Sequence, residues 1–257
     1  MKVQLLPTSF NPDGTASQRQ HLSCLIIDDR VAVDAGSLAM AATDRHRSEL
    51  RDIVLTHAHL DHIAGLPLFV DDLFATLESP IRIYALKSVI DVLERDVFNW
   101  SVFPRFSELN NGRTAAMEYR PVDIGEDFSI GDLTFQMFEA NHGVPSAGLV
   151  INNGNSTIAV TGDTGNLEGL ENVLLDEPSM NAVFIECAFP DELSAIAENS
   201  HHMTPSKLAS ELGRVSTECP IYIFNIKANY RDQVVCQLEA LAVPRLEIAE
   251  IGAVYSF

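Results

Sequence analysis

The stretch Thr56–His62, with the sequence THAHLDH, decides the fold predicted for this chain. It follows an apolar run at 52–55 that is typical of a buried strand, and it precedes a segment at 63–68 that is typical of a helix start. His57 and His59 project to the same side of an extended segment, because side chains alternate along a strand. Imidazole nitrogens and carboxylate oxygens suit zinc and similar divalent ions. The stretch therefore predicts a metal site rather than a solvated, histidine-rich loop.

The order of these residues resembles a known signature. The pattern His57-x-His59-x-Asp61-His62 resembles that of the metallo-β-lactamase superfamily. The longer string HAHLDHIAG at 57–65 is similar to that of the class II cyclic-nucleotide phosphodiesterases. Three later segments extend the resemblance along the chain: TGDT at 161–164, ECAFP at 186–190 and HMTP at 202–205.

The resemblance implies an α+β fold, the metallo-β-lactamase-like four-layer αββα sandwich, in a single hydrolase domain over residues 1–257. This length lies at the upper end for one domain. Apolar strand patterns and helical patterns alternate along the chain, without a linker or a low-complexity tract. Because His, Asp and Glu residues recur at the predicted strand ends, we expect ligands from several strands to meet at one rim of the sandwich.

The resemblance also implies two divalent metal ions, which we expect to be zinc. The predicted ligands are His57, His59 and His142 for the first ion, Asp61 and His62 for the second, and Asp163 as a bridge between the two. His142 adjoins a glycine at a predicted strand end, where a ligand is easily presented, although an isolated histidine there is more often a surface residue. Asp163 lies between two glycines, which leave its carboxylate open to two cations; the alternative is a tight turn that contains an Asp.

Two other carboxylates end predicted strands. Asp34 either orients the metal ligands or caps the segment that follows it, and the resemblance of Asp34-Ala35-Gly36 to the first motif of the superfamily favours the former. Glu186 either accepts a hydrogen bond from a ligand imidazole or is a solvated strand terminus. We favour the positioning role for both residues.

A pair of histidines, His201 and His202, lies at a predicted loop-to-helix junction, outside the main cluster of ligands. We expect His202 to donate a proton to the leaving ribose oxygen or to bind the phosphate. The rival interpretation is that His202 is a metal ligand that replaces a missing one. Asp61 and His202 are the candidate catalytic residues.

The string NIKA at 225–228 departs from the family pattern, in which a histidine is followed by Ile or Leu, Lys and Pro. Asn225 offers only a neutral amide oxygen, which is a poorer ligand for zinc than imidazole. The second metal is therefore expected to bind more weakly, to be replaced by a harder ion, or to be ligated by His201. In each case the two sites are expected to differ clearly in affinity.

The overall charge limits the partners. The formal net charge is −19 and the pI is near 4.6, which argues against a nucleic-acid polymer or an anionic membrane surface. A small anionic phosphoester would need a local positive centre, which bound metal ions supply. No apolar run approaches the length of a membrane span, and no cysteine pair has metal-binding or redox spacing. We expect reduced thiols and a cytoplasmic protein, and a homodimer is left open.

These features favour hydrolysis of 3',5'-cyclic nucleotides to 5'-nucleotides by a metal-bound hydroxide. One alternative is another hydrolase on the same scaffold, acting on a different phosphodiester or on a lactone. A second alternative is a degenerate member that binds its ligand without hydrolysis, because Asn225 weakens the second metal site.

Overall fold

Two seven-stranded sheets form the centre of the molecule. The computed structural model describes residues 1–177, 179–215 and 218–257. The first sheet has the strand order β14-β1-β2-β3-β4-β5-β6 and the second has the order β13-β12-β11-β10-β9-β8-β7. The strands of the first half are β1 Lys2–Leu5, β2 Leu25–Ile27, β3 Val31–Val33, β4 Asp52–Val54, β5 Ile81–Ala85, β6 Met117–Pro121 and β7 Asp127–Ile130. Those of the second half are β8 Leu133–Glu139, β9 Ala147–Asn152, β10 Thr157–Val160, β11 Ala182–Glu186, β12 Ile221–Phe224, β13 Leu246–Ile248 and β14 Val254–Ser256.

Helices cover the outer faces of both sheets. The α-helices are α1 Leu38–Ala41, α2 Asp44–Glu49, α3 Leu60–Ile63, α4 Leu66–Phe74, α5 Lys87–Val92, α6 Glu168–Asp176, α7 Ser194–Asn199, α8 Pro205–Leu212 and α9 Arg231–Ala240. A π-helical turn at Leu93–Val97 continues α5, and 3-10 turns lie at Phe106–Glu108, Asp191–Leu193 and Ala228–Tyr230. Within the described ranges, none of the helices is both long and apolar enough to cross a membrane.

The core consists of three layers of apolar side chains, which makes four layers of secondary structure. One layer lies between the sheets, and the other two lie between each sheet and its helices. Strand β3 shows the division: Val31 and Val33 face the opposite sheet, whereas Ala32 faces the helices. Because both faces of such strands are buried, they are apolar throughout rather than alternating. The predicted αββα sandwich is confirmed.

Each sheet contains four neighbouring parallel strands. Strands β3 to β6 are parallel in the first sheet, and β10 to β13 are parallel in the second. Parallel strands end at the same edge of a sheet, so the segments that follow β3, β4, β10, β11 and β12 come out along one rim of the sandwich. These segments contain most of the predicted site residues.

The loop after β3 packs directly on the start of the metal-binding segment. Backbone N–H groups of Ala35 and Gly65 donate to the carbonyls of His62 and Ala35, at 2.7 and 3.0 Å. A Cβ atom at Gly36 would lie 2.0 Å from the carbonyl oxygen of Asp61 and 2.8 Å from that of Ser23. Only glycine therefore allows this loop to lie against α3.

The close approach at Gly36 can be tested by adding one methyl group. We expect Gly36→Ala to lower the free energy of unfolding by at least about 1–3 kcal/mol, the usual cost of overpacking a closed site. Gly143→Ala is the matched control, because a Cβ atom there meets nothing within 4 Å. Urea denaturation monitored by circular dichroism gives both values, and equal midpoints for the two variants would contradict the packing described.

Candidate metal centre

Three imidazoles from two segments converge at the rim. His57 and His59 follow β4, and His142 follows β8. Their ligand nitrogens all lie within 4.8 Å of one another, and Nε2 of His142 lies 3.0 Å from Nδ1 of His59. Burial lowers the pKa of His57 well below its ordinary value and that of His142 to about 4. The rings are therefore neutral near pH 7, and their lone pairs are available to a cation.

Within the described part of the chain, two buried nitrogen atoms at this point lack a hydrogen bond of normal geometry. They are Nε2 of His57 and Nε2 of His62, whose side chains are fully buried. Nearly all buried polar atoms in proteins are satisfied, so an unsatisfied pair that points into a ring of imidazoles calls for a missing partner. A divalent cation with a preference for nitrogen ligands fits this arrangement.

The carboxylate of Asp34 orients two of the rings. It accepts hydrogen bonds from the backbone N–H of Thr56 at 2.9 Å, from the Thr56 hydroxyl at 2.9 Å, and from Nδ1 of His62 at 2.6 Å. The Thr56 hydroxyl in turn lies 3.0 Å from Nδ1 of His57. With both Nδ1 atoms engaged in this way, the Nε2 atoms of His57 and His62 face the centre.

Asp163 lies in the middle of the cluster, directly after β10. Its Oδ2 atom lies 3.3 Å from Nε2 of His62, 3.8 Å from Nε2 of His57 and 3.9 Å from Nε2 of His202. Burial opposes ionisation, but these imidazoles hold the pKa of the carboxyl well below its usual range. The other oxygen, Oδ1, accepts a hydrogen bond from Nδ2 of Asn225 at 2.5 Å.

The structure brings His202 into the cluster, in contrast to the expected position outside it. One of its ring nitrogens lies within 4.8 Å of a ring nitrogen of His142 and of a carboxylate oxygen of Asp163. Its Nδ1 atom lies 2.8 Å from Oε1 of Glu186, the residue that ends β11. The same oxygen accepts the backbone N–H of Thr164 at 3.1 Å. The sequence predicts that Glu186 accepts a hydrogen bond from a ligand imidazole, without indicating which one. In the structure this imidazole is that of His202, because the turn before α8 folds back over β11.

Asp61 lies apart from the close groups. Among the described residues, the groups of His, Cys, Asp and Glu ligand atoms within 4.8 Å contain neither Asp61 nor His201. Asp61 accepts a hydrogen bond from Nζ of Lys227 at 2.8 Å, and both side chains are about one-third exposed. Burial opposes ionisation, but His62 and Lys227 lower the pKa of Asp61. The structure therefore places a cationic side chain beside the predicted ligand of the second metal.

His201 contacts the centre through its backbone. Its carbonyl oxygen lies 3.1 Å from Nδ1 of His142 and accepts a hydrogen bond from it, so that Nε2 of His142 faces the other imidazoles. The backbone of His201 has a φ of 53°, in the left-handed region. Its imidazole Nδ1 lies 2.9 Å from Oδ1 of the exposed Asn141, which directs the ring away from the cluster.

Sequence reasoning missed three of these residues. Thr56 and Asn141 each adjoin a predicted ligand, and a hydroxyl or amide next to a ligand histidine was the available signal. Lys227 was visible as part of the string after β12, but no role was assigned to it. The available signal was its position two residues after Asn225, where the family pattern has a ligand histidine, because a lysine there can pair with a carboxylate of the site.

The orienting role of Asp34 can be tested by metal affinity. We expect Asp34→Asn to weaken zinc binding about 10- to 100-fold, because the amide accepts the His62 and Thr56 hydrogen bonds less well. Competition with a chromogenic chelator measures this affinity. Asp71→Asn, at an exposed position on α4, is the control and should bind zinc like the parent. An unchanged affinity in Asp34→Asn would show that Asp34 serves only to hold the turn.

Comparisons with known proteins agree with this geometry. A protein from Yersinia pestis named "Probable 3',5'-cyclic-nucleotide phosphodiesterase" is 30% identical over 211 residues, which are 72% of this chain and 59% of the relative. A nuclear ribonuclease Z from Triticum aestivum is 35% identical over 100 residues, which are 38% of this chain and 53% of the relative. The chain thus spans little more than half of the length of these relatives.

The fold has relatives among solved structures, and the family is defined by sequence. The crystal structure of unliganded yeast PDE1 has a TM-score of 0.77 over 98% of each chain, at 17% identity, a level that shows the fold alone. The sequence model of the family described as "Beta-lactamase superfamily domain" matches residues 29–223, which include β4, the metal-binding segment and β10. With its paired sheets and its histidine-rich rim, the chain belongs to the metallo-β-lactamase superfamily.

Proposed function

We propose that this protein hydrolyses 3',5'-cyclic nucleotides to 5'-nucleotides in a metal-dependent reaction. The observation that carries the proposal is the position of His202. Its Nδ1 atom is hydrogen-bonded to Glu186, and its ring lies beside Asp163 and the imidazole of His142. A hydrolase of phosphodiesters needs a site for a cation and, beside it, a proton donor for the leaving oxygen. The name of the Yersinia pestis relative supports the cyclic-nucleotide class of substrate.

The residues present fit a first metal ion, and we propose zinc. His57, His59 and His142 would hold it, with the carboxylate of Asp163 beside His57. Such an ion would lower the pKa of water and supply positive charge for the phosphate. Asp34 and Thr56 keep the Nε2 atoms of His62 and His57 directed towards Asp163.

We assign the leaving-group proton to His202. Burial would lower the pKa of its imidazole, but Glu186 raises it above the ordinary value. Its Nδ1–H group donates to Glu186, so the proton on Nε2 faces the substrate side. In this position the imidazolium protonates the 3' oxygen of the ribose as the phosphorus–oxygen bond breaks.

The alternative function on the same scaffold is hydrolysis of another phosphodiester. The similarity to a ribonuclease Z supports this alternative. The net charge of −19 argues against an RNA polymer as the substrate, because RNA binding depends on neutralising the phosphates with positive charge. We therefore propose a small anionic substrate. We also propose that the protein is cytoplasmic and that it can form a homodimer; the assays below distinguish a degenerate, non-hydrolytic member.

Three substrates separate these functions. We expect the metal-loaded protein to convert cyclic AMP or cyclic GMP to the 5'-nucleotide, measured by chromatography, and a chelator to abolish the conversion. Turnover of an aryl phosphodiester such as bis(p-nitrophenyl) phosphate, with neither cyclic nucleotide consumed, would select the rival hydrolase. Binding of a cyclic nucleotide without product would select the degenerate member.

The proton-donor role of His202 predicts a separation of binding from chemistry. We expect His202→Ala to retain its metal, measured by elemental analysis, and to lose about 10²- to 10⁴-fold in kcat, the usual contribution of general acid catalysis. The exposed His21 provides the matched control, His21→Ala, which should keep its kcat. Loss of metal from His202→Ala would instead identify His202 as a ligand.

A further inference from the structure

The carboxylates that would bind a second ion are already engaged by the protein's own nitrogen donors. Oδ2 of Asp61 accepts from Nζ of Lys227 at 2.8 Å, and Oδ1 of Asp163 accepts from Nδ2 of Asn225 at 2.5 Å. A carboxylate is only an acceptor, so the amide of Asn225 must present its N–H group to Asp163. A cation at this point would meet a donor instead of a ligand oxygen.

Asn225 is held firmly in this orientation. Its side chain is buried, and its backbone has a φ of 54°, in the left-handed region. Its backbone N–H donates to Oε1 of the buried Gln20 at 3.0 Å. A cation on this carboxylate oxygen would have to displace the amide and break its hydrogen bond to Asp163, which would reduce the affinity for the cation. The residues present therefore do not fit a tightly bound second ion.

Lys227 carries a positive charge at the same place. Its backbone N–H donates to the carbonyl of Ala188 at 3.1 Å, which fixes the start of the side chain beside β11 and β12. Its ammonium donates a hydrogen bond to Oδ2 of Asp61 at 2.8 Å. An ammonium has three N–H donors, of which the contact with Asp61 uses one. The other two can bind the oxygens of a phosphoryl group.

We propose that this protein holds one metal ion tightly and that the ammonium of Lys227 takes the place of the second. On the basis of the proposed function, Lys227 would bind a non-bridging phosphoryl oxygen of the substrate opposite the ion on His57, His59 and His142. The strong negative charge of the chain adds to the need for such a group, because it repels an anionic substrate. Lysine binds phosphate as a compact point charge and needs no special geometry.

The number of metal ions tests the first half of this proposal. Metal-free protein is saturated with zinc, passed through a desalting column and analysed for zinc per chain. We expect one ion per chain in the parent protein and two in Asn225→His, since the new imidazole supplies a ligand and removes the amide donor. Two tightly held ions in the parent protein, or one ion in Asn225→His, would overturn this half.

The affinity for inorganic phosphate tests the second half. In zinc-loaded protein we expect Lys227→Met to bind phosphate at least tenfold more weakly by calorimetry while it retains one zinc, and Lys227→Arg to recover part of the affinity. The control is Lys2→Met, because Lys2 begins β1 at the opposite rim of the first sheet. Unchanged phosphate affinity in a folded, zinc-loaded Lys227→Met protein refutes the role of Lys227.

These measurements use neither a cyclic nucleotide nor turnover. If no cyclic nucleotide is consumed, the proposed substrate is wrong, and the zinc count and the phosphate affinity still decide the role of Lys227. If cyclic nucleotides are consumed and the parent protein holds two ions, the proposed function stands and the one-ion arrangement falls.

Discussion

The buried carboxylate of Asp163 is the group on which the rest of the centre depends. Three imidazole nitrogens lie within 4 Å of its Oδ2 atom, and they come from His57 after β4, His62 on α3 and His202 before α8. An isolated charge in such a position would be unstable, so the carboxylate requires cationic or hydrogen-bonding neighbours on every side. The two sheets must therefore meet with their strand ends in register for these neighbours to be present.

A set of outer hydrogen bonds makes this arrangement rigid. Asp34 holds His62 and Thr56, Glu186 holds His202, and the carbonyl of His201 holds His142. The contacts of His62, His202 and His142 each engage the Nδ1 atom and leave the Nε2 atom for the centre. The same kind of contact can support a metal ligand or a proton donor, since it decides which nitrogen faces inward, and the carboxylate of Glu186 also raises the pKa of His202.

The second metal position shows how one substitution changes the electrostatics of a site. Where the resembling family has an imidazole, Asn225 donates an N–H group to Asp163, and the neighbouring Lys227 lies on Asp61. A metal ion and an ammonium both attract a phosphoryl group, but only the ion binds and acidifies water. In the proposed arrangement, one ion and one lysine share these tasks, which keeps the positive charge and reduces the number of ligands needed.

The sequence by itself indicated the fold and the imidazoles that converge at the rim. Apolar runs predicted strands with His57, His59, His142 and Asp163 at their ends, and the resemblance to the superfamily implied the paired sheets that bring these residues together. The pairing of His202 with Glu186 was only half visible, because it joins positions 16 residues apart across a turn. Only the tertiary structure decided the position of the Lys227 side chain. Its partner Asp61 lies 166 residues earlier, on α3, which follows a strand of the first sheet, whereas Lys227 follows a strand of the second sheet. No local sequence pattern indicates which carboxylate a flexible ammonium will contact.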